Sequence, residues 1–503
     1  MRSVRPAPVQ AGREAPARRG RAAGAPVLPW LAAVAAAYTV AQLVLVVPGT
    51  GLGWDESVYV SQVGTRAPAA FFSAPRARGI TFLVAPVAAL TASTVALRVW
   101  LAVLSGCGLL LCLWVWRRLL PLPVLVAAGL LFGGLWITLF YGPQAMPNLY
   151  VAYGALCATG CFLRAVREGS DRRALAGLLL AVAFTALMRP GDALALVLPL
   201  AAAALCVRAW RRPAVLLALV AGTALGGAEW VIEAYVRYGG LAARLDRAEE
   251  IQGGWGGHLA LDDHVRALEG RTLCRPCDVP WRHPVTAAWW FALPVVTVGG
   301  LVVAARRARL AAVALPVLVA VCMAAPYQLL DYAAPRFLLP SYALLALPVG
   351  FCLTAAVSRA RRPGRAPLRA LGAAGLALAL LAHFAVQYTV LQRMVTRSAH
   401  TSDAVGRVVA ELRRQGVRPP CVVTGEEAVR IAYRAGCSSR QTSGHDGSIT
   451  PERLVETAGR MPVAVVLSGG GAVPSYARGW RVEPLPWQDL RVALSPQPGL
   501  DAR

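Results

Sequence analysis

The sequence predicts a polytopic α-helical membrane protein of about 11–13 transmembrane helices, with a small extracytoplasmic α/β domain at its C-terminus. Three observations carry this expectation. Apolar segments recur from residue 27 to residue 390, arginine clusters fall between alternate segments, and the composition turns polar after residue 391.

Of 503 residues, 57% are hydrophobic and 15% charged, whereas an ordinary soluble domain carries about 25% charge. A single soluble globule and a disordered chain are both excluded. The net charge is nevertheless +25, and all 51 basic residues are arginine. Every anion held by side-chain charge is therefore held by a guanidinium that never deprotonates.

A span needs about 20 apolar residues. The segments are 27–47, 80–91 with 99–116, 119–141, 149–163, 174–188, 193–207, 214–235, 285–304, 310–330, 337–357 and 368–388. Segment 27–47 is long for a signal peptide and lacks a small-residue cleavage site, so it reads as a retained anchor. Residues 80–116 must make one net crossing, and Thr91-Ala-Ser-Thr94 interrupts the apolar run. A re-entrant or interfacial piece at 80–97 is expected.

Arginine clusters stand at Arg2–Arg21, Arg117/Arg118, Arg164–Arg173, Arg208–Arg212, Arg306–Arg309 and Arg359–Arg369. The positive-inside rule makes these cytoplasmic. The domains expected are then a basic cytoplasmic tail (1–26), a membrane domain (27–390) with external loops 48–79 and 236–284, and an extracytoplasmic α/β domain (391–503). Counted by side, 23 arginines and three acids lie inside; 28 arginines and 23 acids lie outside. The basic charge is thus an orientation signal facing anionic lipid in the plasma membrane, and no nucleic-acid partner is needed.

Cys274, Cys277, Cys421 and Cys437 fall outside. An even number suits an oxidising compartment, with bridges Cys274–Cys277 and Cys421–Cys437; the Cys-x-x-Cys pair also fits half a zinc site. In the tail, Cys421-Val-Val-Thr-Gly and Val463-Ala-Val-Val-Leu-Ser read as buried strands. Helical stretches near 402–415, 426–434 and 451–459 alternate with them. Gly469-Gly-Gly471 lacks a following helix and reads as a turn.

The residues able to do chemistry cluster at the outer edge. Gly53-Trp-Asp55-Glu56-Ser-Val-Tyr59 follows the first span. Asp55 and Glu56 would point about 100° apart on a helix, so one can face a cavity. One of them serves as a general base or metal ligand, or both cap a short helix over 56–65. Arg76 and Arg78 end the same loop and could bind a lipid phosphate or merely snorkel. Arg336, in Asp331-Tyr-Ala-Ala-Pro-Arg336-Phe-Leu-Leu-Pro340, is a phosphate ligand or the partner of Asp331. Further outer-edge candidates are Gln144, Asn148, the Arg189/Asp192 turn, Glu229 and Glu233. Loop 236–284 holds His258, Asp262, Asp263 and His264, but its glycines at 253–257 suggest a lid rather than a metal site.

These motifs resemble the GT-C superfamily of glycosyltransferases that use lipid-phosphate-linked sugars, and within it the protein O-mannosyltransferase and aminoarabinose transferase branch. The likeness is carried by Trp54-Asp55-Glu56-x-x-Tyr59, the turn Pro75–Gly79, the pair Arg117/Arg118, Arg336-Phe-Leu-Leu-Pro340 and the external α/β tail. Ala74-Pro75-Arg76 replaces the family's paired prolines, and Asn148 stands where an acidic residue is often found. The resemblance implies an inverting transfer from a polyprenyl-phosphate sugar to a glycan, lipid or protein hydroxyl. The leaving group is already a good anion, so one carboxylate base suffices. Asp55 would be that base and Glu56 the second choice. Arg76, Arg78 and Arg336, with Tyr59 and Asn148, would bind substrate and lipid phosphate. No cofactor is indicated, and metal dependence stays open. The rival is a non-enzymatic membrane protein, either a lipid-linked glycan flippase or a sensor with an external ligand-binding domain. Convergence of Asp55, Arg336 and one of Arg76/Arg78 on one cavity favours the enzyme.

Overall fold

The computed structural model describes residues 26–167, 171–254, 257–275, 277, 280–360 and 366–496. The basic segment before Pro26, Glu168 and the arginines at 361, 362 and 365 lie outside the described residues.

The bundle opens with α1 (Val27–Leu45). A short α2 (Trp54–Ser61) and α3 (Gly79–Ala88) precede α4 (Thr94–Trp116), α5 (Leu122–Gly133), α6 (Trp136–Tyr141), α7 (Pro147–Arg167), α8 (Arg172–Met188), α9 (Pro190–Cys206) and α10 (Pro213–Arg237). Then come α11 (Leu241–Gln252), α12 (Leu261–Ala267), α13 (Ala288–Arg306), α14 (Leu310–Ala324), α15 (Leu339–Ala360) and α16 (Ala366–Arg414). Among the described residues, eight helical stretches are long and apolar enough to cross a membrane. Three shorter apolar helices, α3, α5 and α9, accompany them.

The expected short piece at 80–97 is α3, and two departures from expectation follow it, each with a local cause. At 10 residues, α3 is about 15 Å long and falls short of a bilayer core of about 30 Å. It returns through the Thr91–Ser93 turn into α4, whose Trp100 donates to the Leu83 carbonyl at 2.8 Å. The expected single span 119–141 divides at Gly133-Gly134, where a glycine pair ends α5. The last span does not stop near 390, because α16 runs 49 residues, through the expected separate helix at 402–415, into the C-terminal unit.

Helix α7 is the central pillar and is buried over almost its whole length. Helices α4, α8 and α15 pack around it, and α10 packs on α8. Glycines allow the closest approach: a Cβ on Gly226 of α10 would lie 1.9 Å from the Ala183 carbonyl of α8.

The two ends differ in chemistry. At one, Arg164 and Arg118 share Asp171, at 2.7 and 3.5 Å, and Arg309 donates to the Leu119 carbonyl. The other end gathers α2, α11, α12 and the C-terminal unit. That unit comprises β1 (Val422–Gly425), α17 (Ala428–Ala435), β2 (Ser438–Ser439), α18 (Pro451–Ala458), β3 (Val463–Leu467), β4 (Arg481–Pro484) and β5 (Arg491–Leu494). Its sheet has the order β2-β1-β3-β5-β4. β1 is parallel to β2 and β3, while β5 is antiparallel to β3 and β4. Helix α17 packs on both α2 and α16, so the sheet unit is docked on the bundle. Gly471 donates to the Ser468 carbonyl, closing the expected glycine turn.

Candidate active site

Helix α2 positions the site. Glu56 sits at its third position and accepts the Gly53 N–H at 2.8 Å, satisfying a donor that the helix start leaves unpaired. Both Asp55 and Glu56 complement the positive helix N-terminus. The helical turn then sends them in different directions.

Glu56 is 3% exposed and fully committed. Arg98 grips it at 2.5 and 2.8 Å, and Ala145 N–H donates to it at 2.7 Å. The same guanidinium donates to the carbonyls of Gly51 and Pro143. Glu56 therefore ties α2 to α4 and to the turn before α7. The second-choice base of the sequence reading is a structural cap, since its oxygens are occupied and shielded.

Asp55 faces the opposite way, with a third of its side chain exposed (34%). Arg76 lies 2.8 Å from Oδ1 and Arg336 3.4 Å from Oδ2. Arg76 donates to Ser73 Oγ at 3.0 Å and lies over the Tyr59 ring at 5.3 Å. Arg336 donates to the Thr272 carbonyl at 2.6 Å and stands 3.5 Å from Tyr141 Oη. Burial pushes the Asp55 carboxyl up, but the charges of Arg76 and Arg336 outweigh it and hold the group below its ordinary value. Asp55 is thus an anion clamped by two cations.

Arg189 belongs to the same neighbourhood. Its guanidinium and that of Arg336 lie 5.7 and 5.3 Å from the Phe337 ring. It pairs with Asp192 at 2.8 Å, and Tyr327 donates to the other oxygen of Asp192 at 2.5 Å.

The other expected residues separate from this cluster. Arg78 turns to Glu233 (2.6 Å) and Glu229 (3.4 Å) and stacks on Phe72. Glu233 also takes the buried Arg244, which donates to the carbonyls of Ala74 and Arg76. Arg78 therefore braces the first loop against α10 instead of joining Asp55. Asn148 is buried in the first turn of α7, and its Oδ1 has no hydrogen-bond partner among the described residues. Asp331 faces His258 at 3.6 Å, leaving Arg336 to Asp55.

Cys274 is bonded to Cys277 and Cys421 to Cys437, so the Cys-x-x-Cys pair forms a disulfide and not half a zinc site. Cys274 also forms a two-bond antiparallel bridge with Ala333, three residues before Arg336. Among the described residues no group of three His, Cys, Asp or Glu is arranged to hold a metal ion.

No family model matches the sequence, and no curated protein sequence matches it. Solved structures do resemble it in fold. ArnT from Cupriavidus metallidurans bound to undecaprenyl phosphate aligns with a TM-score of 0.65 at 12% identity, over 93% of this chain and 97% of that one. The apo state of that ArnT aligns at 0.62 and 13% identity, with the same coverage. The apo oligosaccharyltransferase of Archaeoglobus fulgidus aligns at 0.51 and 12% identity, over 88% of this chain and 69% of that one. The chain therefore shares the fold of these structures, a polytopic helical bundle carrying a small C-terminal sheet.

Proposed function

We propose that this protein is a membrane glycosyltransferase that moves a sugar from a polyprenyl-phosphate donor to an acceptor hydroxyl at the extracytoplasmic face. The observation that carries the reading is the convergence of Asp55, Arg76 and Arg336, from three separate elements, on one point. ArnT binds undecaprenyl phosphate on the same fold, which supports a lipid-phosphate donor here. The arginine-rich end faces the cytoplasm. The opposite end, with both disulfides, faces an oxidising exterior.

The mechanism is a single displacement with inversion. Asp55 takes the proton of the acceptor hydroxyl as its oxygen bonds to the anomeric carbon. The bond from that carbon to the phosphate oxygen breaks, and its electron pair leaves with the polyprenyl phosphate. Arg76 and Arg336 take up the charge of that phosphate. Their contact with Asp55 before substrate arrives keeps the guanidiniums oriented. Transfer of those cations to the phosphate frees the carboxylate and restores its basicity. A flippase would place ionisable groups near the bilayer midplane, whereas here Asp55 and its arginine partners gather at one end, beside α2.

Transfer from a labelled polyprenyl-phosphate sugar tests the reading. Asp55→Asn should lose about 10²–10⁴-fold in rate, the contribution of a general base, while keeping the wild-type thermal stability to within a few degrees. Wild-type turnover by Asp55→Asn refutes it.

A further inference from the structure

We infer that the polar cavity enclosed by α2, α16 and α17 is the acceptor site and that it takes a saccharide carrying a phosphate or carboxylate. This rests on the glycosyltransferase reading above. The cavity holds about 640 Å³, within the range of about 300–1,000 Å³ typical of ligand sites.

Its walls are cationic. Arg66, Arg397, Arg430 and Arg434 line it, against the carboxylates of Asp403 and Glu56. Glu56 is already neutralised by Arg98. Arg66 donates to the carbonyls of Ala92 and Arg434, Arg397 to Gly270, and Arg434 to Ser402. Carbonyls orient a guanidinium without cancelling its charge. Arg430 lies 3.2 Å from Glu427, yet its buried Nε has no hydrogen-bond partner among the described residues. The wall thus presents more positive charge than it neutralises, together with the hydroxyls of Ser57, Ser398 and Thr401. Guanidinium forks match phosphate and carboxylate, and hydroxyls match sugar hydroxyls.

The cavity adjoins the Asp55 cluster. Thr272 lines it, and the Thr272 carbonyl is the anchor of Arg336. Glu56 and Ser57, the next residues of α2 after Asp55, line it too, and the charge of Arg430 reaches Asp55. An acceptor seated here approaches Asp55 from the sheet-domain side, while Arg76 and Arg336 hold the donor phosphate. The C-terminal unit then supplies acceptor contacts through α17.

Binding to the purified full-length protein tests this. The probes are a singly phosphorylated tetrasaccharide, its dephosphorylated counterpart and a polyprenyl phosphate. The phosphorylated tetrasaccharide should bind wild type and Asp55→Asn alike. It should bind Arg397→Gln/Arg430→Gln at least about tenfold more weakly, the loss expected for a hydrogen bond to a charged group. Arg397→Lys/Arg430→Lys should recover part of that affinity, which separates lost charge from lost folding. Polyprenyl phosphate should bind wild type and the Gln variant equally. Equal binding of the two tetrasaccharides, or unaltered binding by the Gln variant, overturns the inference. So does a Gln variant that loses polyprenyl phosphate and keeps the tetrasaccharide. If the tetrasaccharide binds as expected but no sugar is ever transferred, the acceptor site stands as a binding site and the glycosyltransferase reading alone fails.

Discussion

The Asp55 carboxylate lies 3.4 Å from the Arg336 guanidinium, across 281 residues of chain. The Thr272 carbonyl and Tyr141 hold that guanidinium from two further elements, so its position is fixed before any ligand arrives. A preorganised cation of this kind stabilises a departing phosphate without reorganising.

Arg336→Ala should therefore cut transfer by about 10²–10³-fold, the cost of removing one preorganised donor. Donor affinity should fall with it and acceptor affinity should hold. Arg78→Ala should behave differently, because Arg78 engages Glu233 and Glu229 and not Asp55. Its main effect should be a lower melting temperature. Steady-state kinetics in donor and acceptor, alongside thermal unfolding of both variants, check the contrast. Equal kinetic losses would show that Arg78 also serves the reacting phosphate.

The clamp on Asp55 also sets a pH dependence. Its carboxyl is held below the ordinary value of about 3.9 by the two arginines, against the pull of burial. A lowered folded value means that the ion pairs stabilise the folded chain fully above the unfolded value, and that this contribution is lost as pH falls through the folded one. The melting-temperature difference between wild type and Asp55→Asn should be flat between pH 8 and pH 5 and close only below about pH 4. Closure near pH 6 instead would mean that the carboxyl is raised.

The Glu56–Arg98 pair makes a stability prediction. Both side chains are almost fully buried, at 3% and 1% exposure. Arg98→Met leaves Glu56 as a buried charge with only two N–H donors, and should cost about 3–5 kcal/mol. Removing both charges, in Glu56→Gln/Arg98→Met, should be milder than Arg98→Met alone. Denaturant or thermal unfolding in detergent measures the cycle. A double variant as unstable as the sum of the single ones would show that the two residues act independently.

How far these features were legible in the sequence follows from their physics. Span positions came from apolar length, which the bilayer dictates directly. Asp55 stood out because adjacent carboxylates at an apolar edge are costly without a purpose. Its pairing with Arg336 was suggested only by the family resemblance, since spacing carries no sign of contact between distant residues. Glu56 and Arg98 are 42 residues apart, and nothing local announces that one will neutralise the other. The polarity change near 391 marked where the chain leaves the apolar layer. Backbone hydrogen bonding in a helix does not depend on that layer, so α16 continues through it. Strand β4 was missed because it is an edge strand with mostly exposed residues, and β2 because it has two residues.

The last prediction concerns how α16 seats against the site. A Cβ on Gly51 would lie 2.5 Å from Ser402 Oγ and 2.7 Å from Ser402 Cβ. Only a glycine lets the strand of chain before α2 approach α16 this closely. The Gly51 carbonyl also accepts from Arg98, so the backbone cannot retreat without loosening the Glu56 cap. Gly51→Ala must therefore push α16, and with it the arginine-lined cavity wall at Arg397, away from α2. Ser402→Gly removes both clashing atoms, at a helix-propensity cost of about 0.5 kcal/mol, the difference between serine and glycine. Gly51→Ala should raise hydrogen exchange in residues 394–405 and lower activity. The pair Gly51→Ala/Ser402→Gly should recover most of both. Failure of the double variant to recover either would mean that Gly51 is needed for its backbone conformation and not for the space it leaves.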